Sequence, residues 1–218
     1  MTRSKFLIAP FMLSAAVALA QAPLPELRVE PALQSSILYV KDAASQPPLT
    51  AFLVELVKYP GSYYQLWEDD IIMGPIEPGK EKKIPISNMT VGAVPNYVHL
   101  TAAIYADGST AGIPEKVTQL VERRKAMLAR TKELIGWLEK ANDDGASPSK
   151  AVADLKQQAE GMASLTRSTQ NSQPAINQSA AKILTNETAA QLGDHSITET
   201  IAWLKSAESR LAASKPAL

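Results

Sequence analysis

Cysteine is absent from all 218 residues, which excludes disulfides, a thiol nucleophile and a lipid-modified cysteine. Core packing, not covalent stapling, must therefore hold the fold. Histidine is nearly absent as well. His99 and His195 are the only two, so histidine-rich metal sites and a His-Glu-x-x-His pair are excluded. The chain also lacks a Gly-x-Ser-x-Gly elbow, a phosphate loop and a dinucleotide fingerprint. Charge of one sign is missing too: 22 Lys and Arg balance 22 Asp and Glu, which gives no footprint for nucleic acid. Neither cofactor nor metal is expected from this equipment, and no catalytic residue stands out.

What is present begins with a leader. Arg3 and Lys5 precede an apolar run from Phe6 to Ala18, and Ala18-Leu19-Ala20 supplies a small-x-small cleavage pattern. The run is shorter than the roughly 20 residues that cross a bilayer, and nothing later is longer or more apolar. The expectation is a removed signal peptide over residues 1–20, a periplasmic or secreted chain, and no membrane span in the mature protein.

Past the leader the vocabulary changes near Pro114. Residues 21–113 hold ten prolines and eight aromatic residues, whereas residues 114–218 hold four prolines, two tryptophans as their only aromatics, and eighteen alanines. Those are strand-and-turn and helix compositions respectively, so a β domain over 21–113 and an α-helical domain over 114–218 are predicted.

In the first part, strands are read at Leu27 to Val29, Ser36 to Val40, Leu49 to Tyr59, Tyr63 to Trp67, Ile71 to Met73 and Ile84 to Ile86. Another follows from Tyr97 to Tyr105, with a short return after Asp107-Gly108. The Tyr97–Tyr105 run alternates: Val98, Leu100, Ala102 and Ile104 toward a core, Tyr97, His99, Thr101 and Tyr105 away from it. About seven short strands suit an antiparallel β-sandwich. In the second part, apolar steps of three and four through Leu120, Val121, Leu128, Leu134, Ile135 and Leu138 make one long helix. Ser147-Pro148, Pro174 and the Ser196-Ile197-Thr198-Glu199 capping box start three more, which reads as an antiparallel helical bundle. Its stripes are thin and rich in alanine, and small side chains bury little area. Completion by a partner, by self-association or by the sandwich is expected.

Candidate sites are few. The group Tyr59, Tyr63, Tyr64 and Trp67 reads as a carbohydrate or peptide platform if it faces outward, with sandwich core favoured for Trp67. His99 reads as an exposed strand histidine and His195 as helix-junction chemistry. Glu68-Asp69-Asp70 reads as a solvated turn, a calcium ion being the rival, and Arg123-Arg124-Lys125 as a solvated helix face.

The segment from Leu49 to Gly112 resembles the immunoglobulin-like or fibronectin-type sandwiches of exported bacterial proteins. The likeness rests on the Thr50 to Val57 strand, the Trp67 to Asp70 corner, the Pro75-Ile76-Glu77-Pro78-Gly79 turn and Ala103 to Gly108. It implies an immunoglobulin-like fold followed by helices and transfers no catalytic residue. The combined expectation is an α+β, non-enzymatic exported protein that binds a protein partner or itself through Trp67, Tyr97, His99 and Tyr105. An accessory or hydrolytic envelope enzyme drawing an acid-base pair from Asp69, Asp70 or His99 is the alternative, which requires those residues to converge.

Overall fold

A computed structural model describes residues 22–32, 35–57, 63–86, 97–162, 172–214, 216 and 218. The leader and Tyr59, the end of the strand expected from Leu49, lie outside the described residues.

Among the described residues the first part folds as seven strands: β1 (Glu26–Ala32), β2 (Ser35–Lys41), β3 (Leu49–Val57), β4 (Tyr64–Asp69), β5 (Glu81–Ile86), β6 (Tyr97–Tyr105) and β7 (Thr110–Gly112). They form two antiparallel sheets, ordered β1-β2-β5 and β4-β3-β6-β7. One apolar cluster draws from both. Leu38 and Val40 of β2 and Ile84 of β5 meet Phe52 and Val54 of β3 and Leu100, Ala103 and Tyr105 of β6.

The alternation expected along β6 holds only as far as Leu100. Pairing with β3 steps from Leu53↔Ala102 to Val54↔Leu100, so Thr101 is an extra residue in a β-bulge. The bulge inverts the faces beyond it: Ala103 and Tyr105 turn into the core between the sheets, and Ala102 and Ile104 turn to the opposite side. There they join Ala51 and Leu53 in a second apolar surface, which Leu120 covers from the first long helix.

That helix, α2 (Pro114–Asp143), follows a helical turn, α1 (Asp70–Met73), and precedes α3 (Pro148–Gly161), α4 (Gln173–Asp194) and α5 (Ile197–Ala212). Ile71 to Met73 was expected as a strand. Instead the chain leaves β4 at Asp69 and coils once, with Gly74 at φ +73° donating to the Asp70 carbonyl, and Ile71 reaches the helical core. Gly112 makes the hand-over from β7 to α2. It sits at φ +102°, a Cβ there would stand 2.2 Å from the Thr101 carbonyl oxygen, and the next amide, Ile113, donates to that same oxygen. Pro114 then occupies the first helical turn.

The N-terminal part of α2 lies on the four-stranded sheet through Leu120, with Val117 and Val121 alongside. Its later part packs with α4 and α5 through Met127, Leu134 and Leu138, and α3 packs against α4. The fold is thus mixed α+β, with two antiparallel sheets and a helical region sharing α2 as common wall. The sheets cover part of the apolar stripe that the helices alone leave thin. Among the described residues no helix is long and apolar enough to cross a membrane.

Candidate functional site

Two side-chain constellations lie on the outer side of the four-stranded sheet, one beneath α2 and one beyond its N-terminus.

The first is a buried ionic cluster where β4, α1 and α2 meet. Asp69 accepts from Arg123 at 3.4 Å and from Arg124 at 3.2 Å, and Arg124 also holds Asp70 at 3.2 Å and the Thr50 carbonyl at 3.1 Å. Arg123 contacts the Met127 sulfur at 3.2 Å, and Arg210 of α5 donates to the carbonyls of Asp70 and Ile71. All four of the acidic and α2 residues are buried, Arg124 at 1% exposure. The readings of Glu68-Asp69-Asp70 as a solvated turn and of Arg123-Arg124-Lys125 as a solvated face are therefore corrected for these four; Lys125 alone of the basic run is exposed. The reason is neutralisation: two carboxylates and two guanidiniums enter the interior together because each supplies the other's missing solvent. Desolvation pushes the Asp69 carboxyl up to about 6, against the opposing pull of Arg124 and Arg123 and with the help of Asp70. Burial lowers Arg123 in turn.

The second lies where the sheet emerges from under α2. Glu55 of β3 stands opposite Gln65 of β4 and His99 of β6, and Tyr97 stands opposite Val57 one row further out. Lys116, in the first turn of α2, pairs with Glu55 at 2.7 Å. Gln65 donates to Glu55 at 3.3 Å and to the Tyr63 hydroxyl at 3.4 Å. Burial on its own raises the Glu55 carboxyl, but the bonds from Lys116, Tyr63 and Gln65 outweigh it and hold the group below its ordinary value. Tyr63 is pushed up to about 12 by desolvation of its hydroxyl and then by Glu55, although 41% of the residue is exposed. Tyr97 is equally exposed, and its ring meets the His99 ring at 4.2 Å between centroids with a 40° tilt. The result is an open aromatic face backed by a satisfied polar row. Its carboxylate is ionised and engaged, and the face offers aromatic rings for stacking and polar tips for hydrogen bonding.

Of the four expected binding residues, Tyr97 and His99 come together here. Trp67 does not join them: it is half-buried on the same face, one row from His99 and two from Tyr97, packed at the edge of the apolar patch under α2 and not between the sheets. Tyr105 is corrected outright. The bulge turns it inward to 0% exposure, and its hydroxyl donates to the Pro23 carbonyl at 2.6 Å. Asp69 and Asp70 do not converge with His99. Asp69 aligns with Ala51 and His99 with Glu55, four residues apart on β3 and so about 13 Å along the strand. His195 is the exposed residue that ends α4.

Glu55, Gln65 and Lys116 were not singled out from sequence. A signal existed for one of them: Glu55 interrupts the apolar stretch Leu53-Val54-Glu55-Leu56-Val57, where an acid must find a partner or shun the interior. Among the described residues no group of three acidic or histidine side chains is placed to hold a metal ion. No family model matches the chain, and neither a curated protein nor a solved structure matches it.

Proposed function

We propose that the chain is an exported, non-enzymatic binding or assembly protein that recognises a protein partner through the open end of its four-stranded sheet. In this reading the two sheets are an immunoglobulin-like sandwich, a view supported by the β1-β2-β5 and β4-β3-β6-β7 orders and by the apolar cluster drawn from both. The helices are an antiparallel bundle anchored on that sandwich by α2. Export rests on the leader expected at residues 1–20.

One observation carries the proposal: Tyr63 and Tyr97, each 41% exposed, share with His99 the stretch of sheet that α2 leaves uncovered. Elsewhere α2 covers that face, over an apolar patch and the Asp69–Arg123–Arg124 cluster. The outer face of the three-stranded sheet is dressed differently. There Tyr39 is nearly buried under the Arg28 guanidinium, 3.9 Å from its ring, with Lys83 at 5.5 Å, a solvated arrangement of charge over aromatic. Tyrosine combines a large rigid apolar area with a hydrogen-bonding tip, which suits protein recognition.

The test is capture of partners from native envelope by the processed chain and by a Tyr63→Ser/Tyr97→Ser double variant. Both residues are surface positions, so the variant keeps its circular dichroism while losing at least about tenfold in capture, the loss of two interface anchors. Unchanged capture by a folded variant overturns this face.

A further inference from the structure

We infer that two copies of this chain pair along the outer edge of β4, joining their four-stranded sheets into one continuous antiparallel sheet.

The inference starts from the four sheet edges. An edge strand presents unpaired N–H and C=O groups that only another extended backbone matches well, and proteins usually blunt such edges. β1 carries Pro31 and alternating charges at Glu26, Arg28 and Glu30. Pro85, with Lys82 and Lys83, interrupts β5. Only three residues long, β7 is met by the Ala22 amide at the Thr110 carbonyl and runs straight on into α2. β4 has none of these devices. Its sequence, Tyr-Gln-Leu-Trp-Glu-Asp, holds no proline and no lysine, and its pairing with β3 runs without a bulge. Among the described residues no strand pairs with its outer side from Gln65 to Glu68.

The acids of β4 do not guard the edge either. Glu68 is held by Lys82 at 2.7 Å with both side chains mostly buried, and Asp69 is consumed by Arg123 and Arg124. What remains along the edge is neutral. A second copy fits it, because a twofold axis normal to the sheet keeps both faces continuous when it passes midway between the two copies of one residue. Centred on Leu66, it sets Gln65 of one copy opposite Trp67 of the other. Centred on Trp67, it sets Leu66 opposite Glu68. In neither of these registers does a carboxylate face a carboxylate, so charge does not oppose the pairing of two copies. The pairing leaves the sheet face at Tyr97 and His99 open, and it stands whether or not that face is the recognition surface.

Sedimentation of residues 21–218 over a concentration range on the order of 1 µM to 1 mM tests the pairing, with Gln65→Pro and Leu66→Pro beside the wild type. Neighbouring residues of a strand aim their N–H groups at opposite edges, so one of these prolines removes a bond to β3 and the other removes only an outward donor. Wild type that dimerises as concentration rises, beside a proline variant of native circular dichroism that stays monomeric, supports the pairing. Wild type monomeric throughout, or a folded proline variant that dimerises equally well, overturns it; an extended peptide from another protein would then be the occupant of this edge. Should neither proline variant fold, amide exchange of the wild type decides: exchange at Gln65–Glu68 slowed about tenfold in the concentrated sample supports the pairing, and equal exchange at both concentrations refutes it.

Discussion

Asp69 shows how much one side chain can be asked to do. It closes ion pairs with two arginines in a buried site, so replacing it by alanine leaves Arg124 with Asp70 and takes from Arg123 the carboxylate it pairs with. Breaking a buried pair this way costs about 3–5 kcal/mol, and a urea unfolding series on Asp69→Ala should show a loss of that size. The exposed Lys150–Asp154 pair, by contrast, should be worth no more than about 0.5 kcal/mol in the same assay. The pH dependence of Asp69 has a definite sign. Its folded carboxyl titrates near 6 and its unfolded one near the ordinary 3.8, so the folded state holds the proton more tightly. The stability that Asp69 contributes through this shift is complete below about pH 4 and fades as pH rises through 6. Wild type should therefore gain on Asp69→Asn between pH 7 and pH 4; a constant difference would contradict the buried site. Glu55 works in the opposite sense, because its folded value is depressed below 4.5. Its contribution is present above that value and lost on further acidification, which Glu55→Gln against wild type would show.

Among the elements, β6 and the start of α2 decide where the open face ends. The bulge at Thr101 is what buries Tyr105 and aims Ala102 and Ile104 at the helix. Tyr105→Phe, losing only the bond to Pro23, should cost about 1 kcal/mol, whereas Tyr105→Ser removes a buried ring and should cost about 3–5 kcal/mol. Gly112→Ala should be among the most damaging small substitutions, above about 2 kcal/mol, because its Cβ would strike the Thr101 carbonyl that the chain needs for entry into α2. Ser196→Ala should cost about 1 kcal/mol, since the Ser196–Glu199 capping box is formed in both directions. That box was legible in the sequence, as were Pro114 at the head of α2 and the seven strands, because each rests on local chemistry. The bulge was not, since period-two alternation carries no mark of an inserted residue. The ionic cluster was half legible. Leu120, Arg124, Met127, Thr131, Leu134 and Leu138 follow the three-four rhythm of the buried face of α2 and are all buried, so the periodicity places Arg124 inside, whereas reading Arg123-Arg124-Lys125 as a run places it outside. The aromatic face was legible in Tyr97 and His99 but not in Glu55 or Lys116, which meet only through the tertiary fold.

At the scale of the whole molecule, α2 ties the two vocabularies together. It roofs one stretch of the four-stranded sheet, plants Arg123 and Arg124 on the acids of β4 and α1, and then becomes the wall on which α4 and α5 pack. Arg210, near the end of α5, returns to the α1 carbonyls and closes the circuit. A chain without disulfides whose helical stripes are thin in large side chains depends on that shared wall. Sheet and helices should consequently unfold as one cooperative unit. The most direct check is native-state amide exchange, comparing the slowest amides of β3 with those of α4 and α5. Equal opening free energies that fall together in Asp69→Ala are the predicted result; helices that exchange through a separate, less stable opening while β3 stays protected would contradict it.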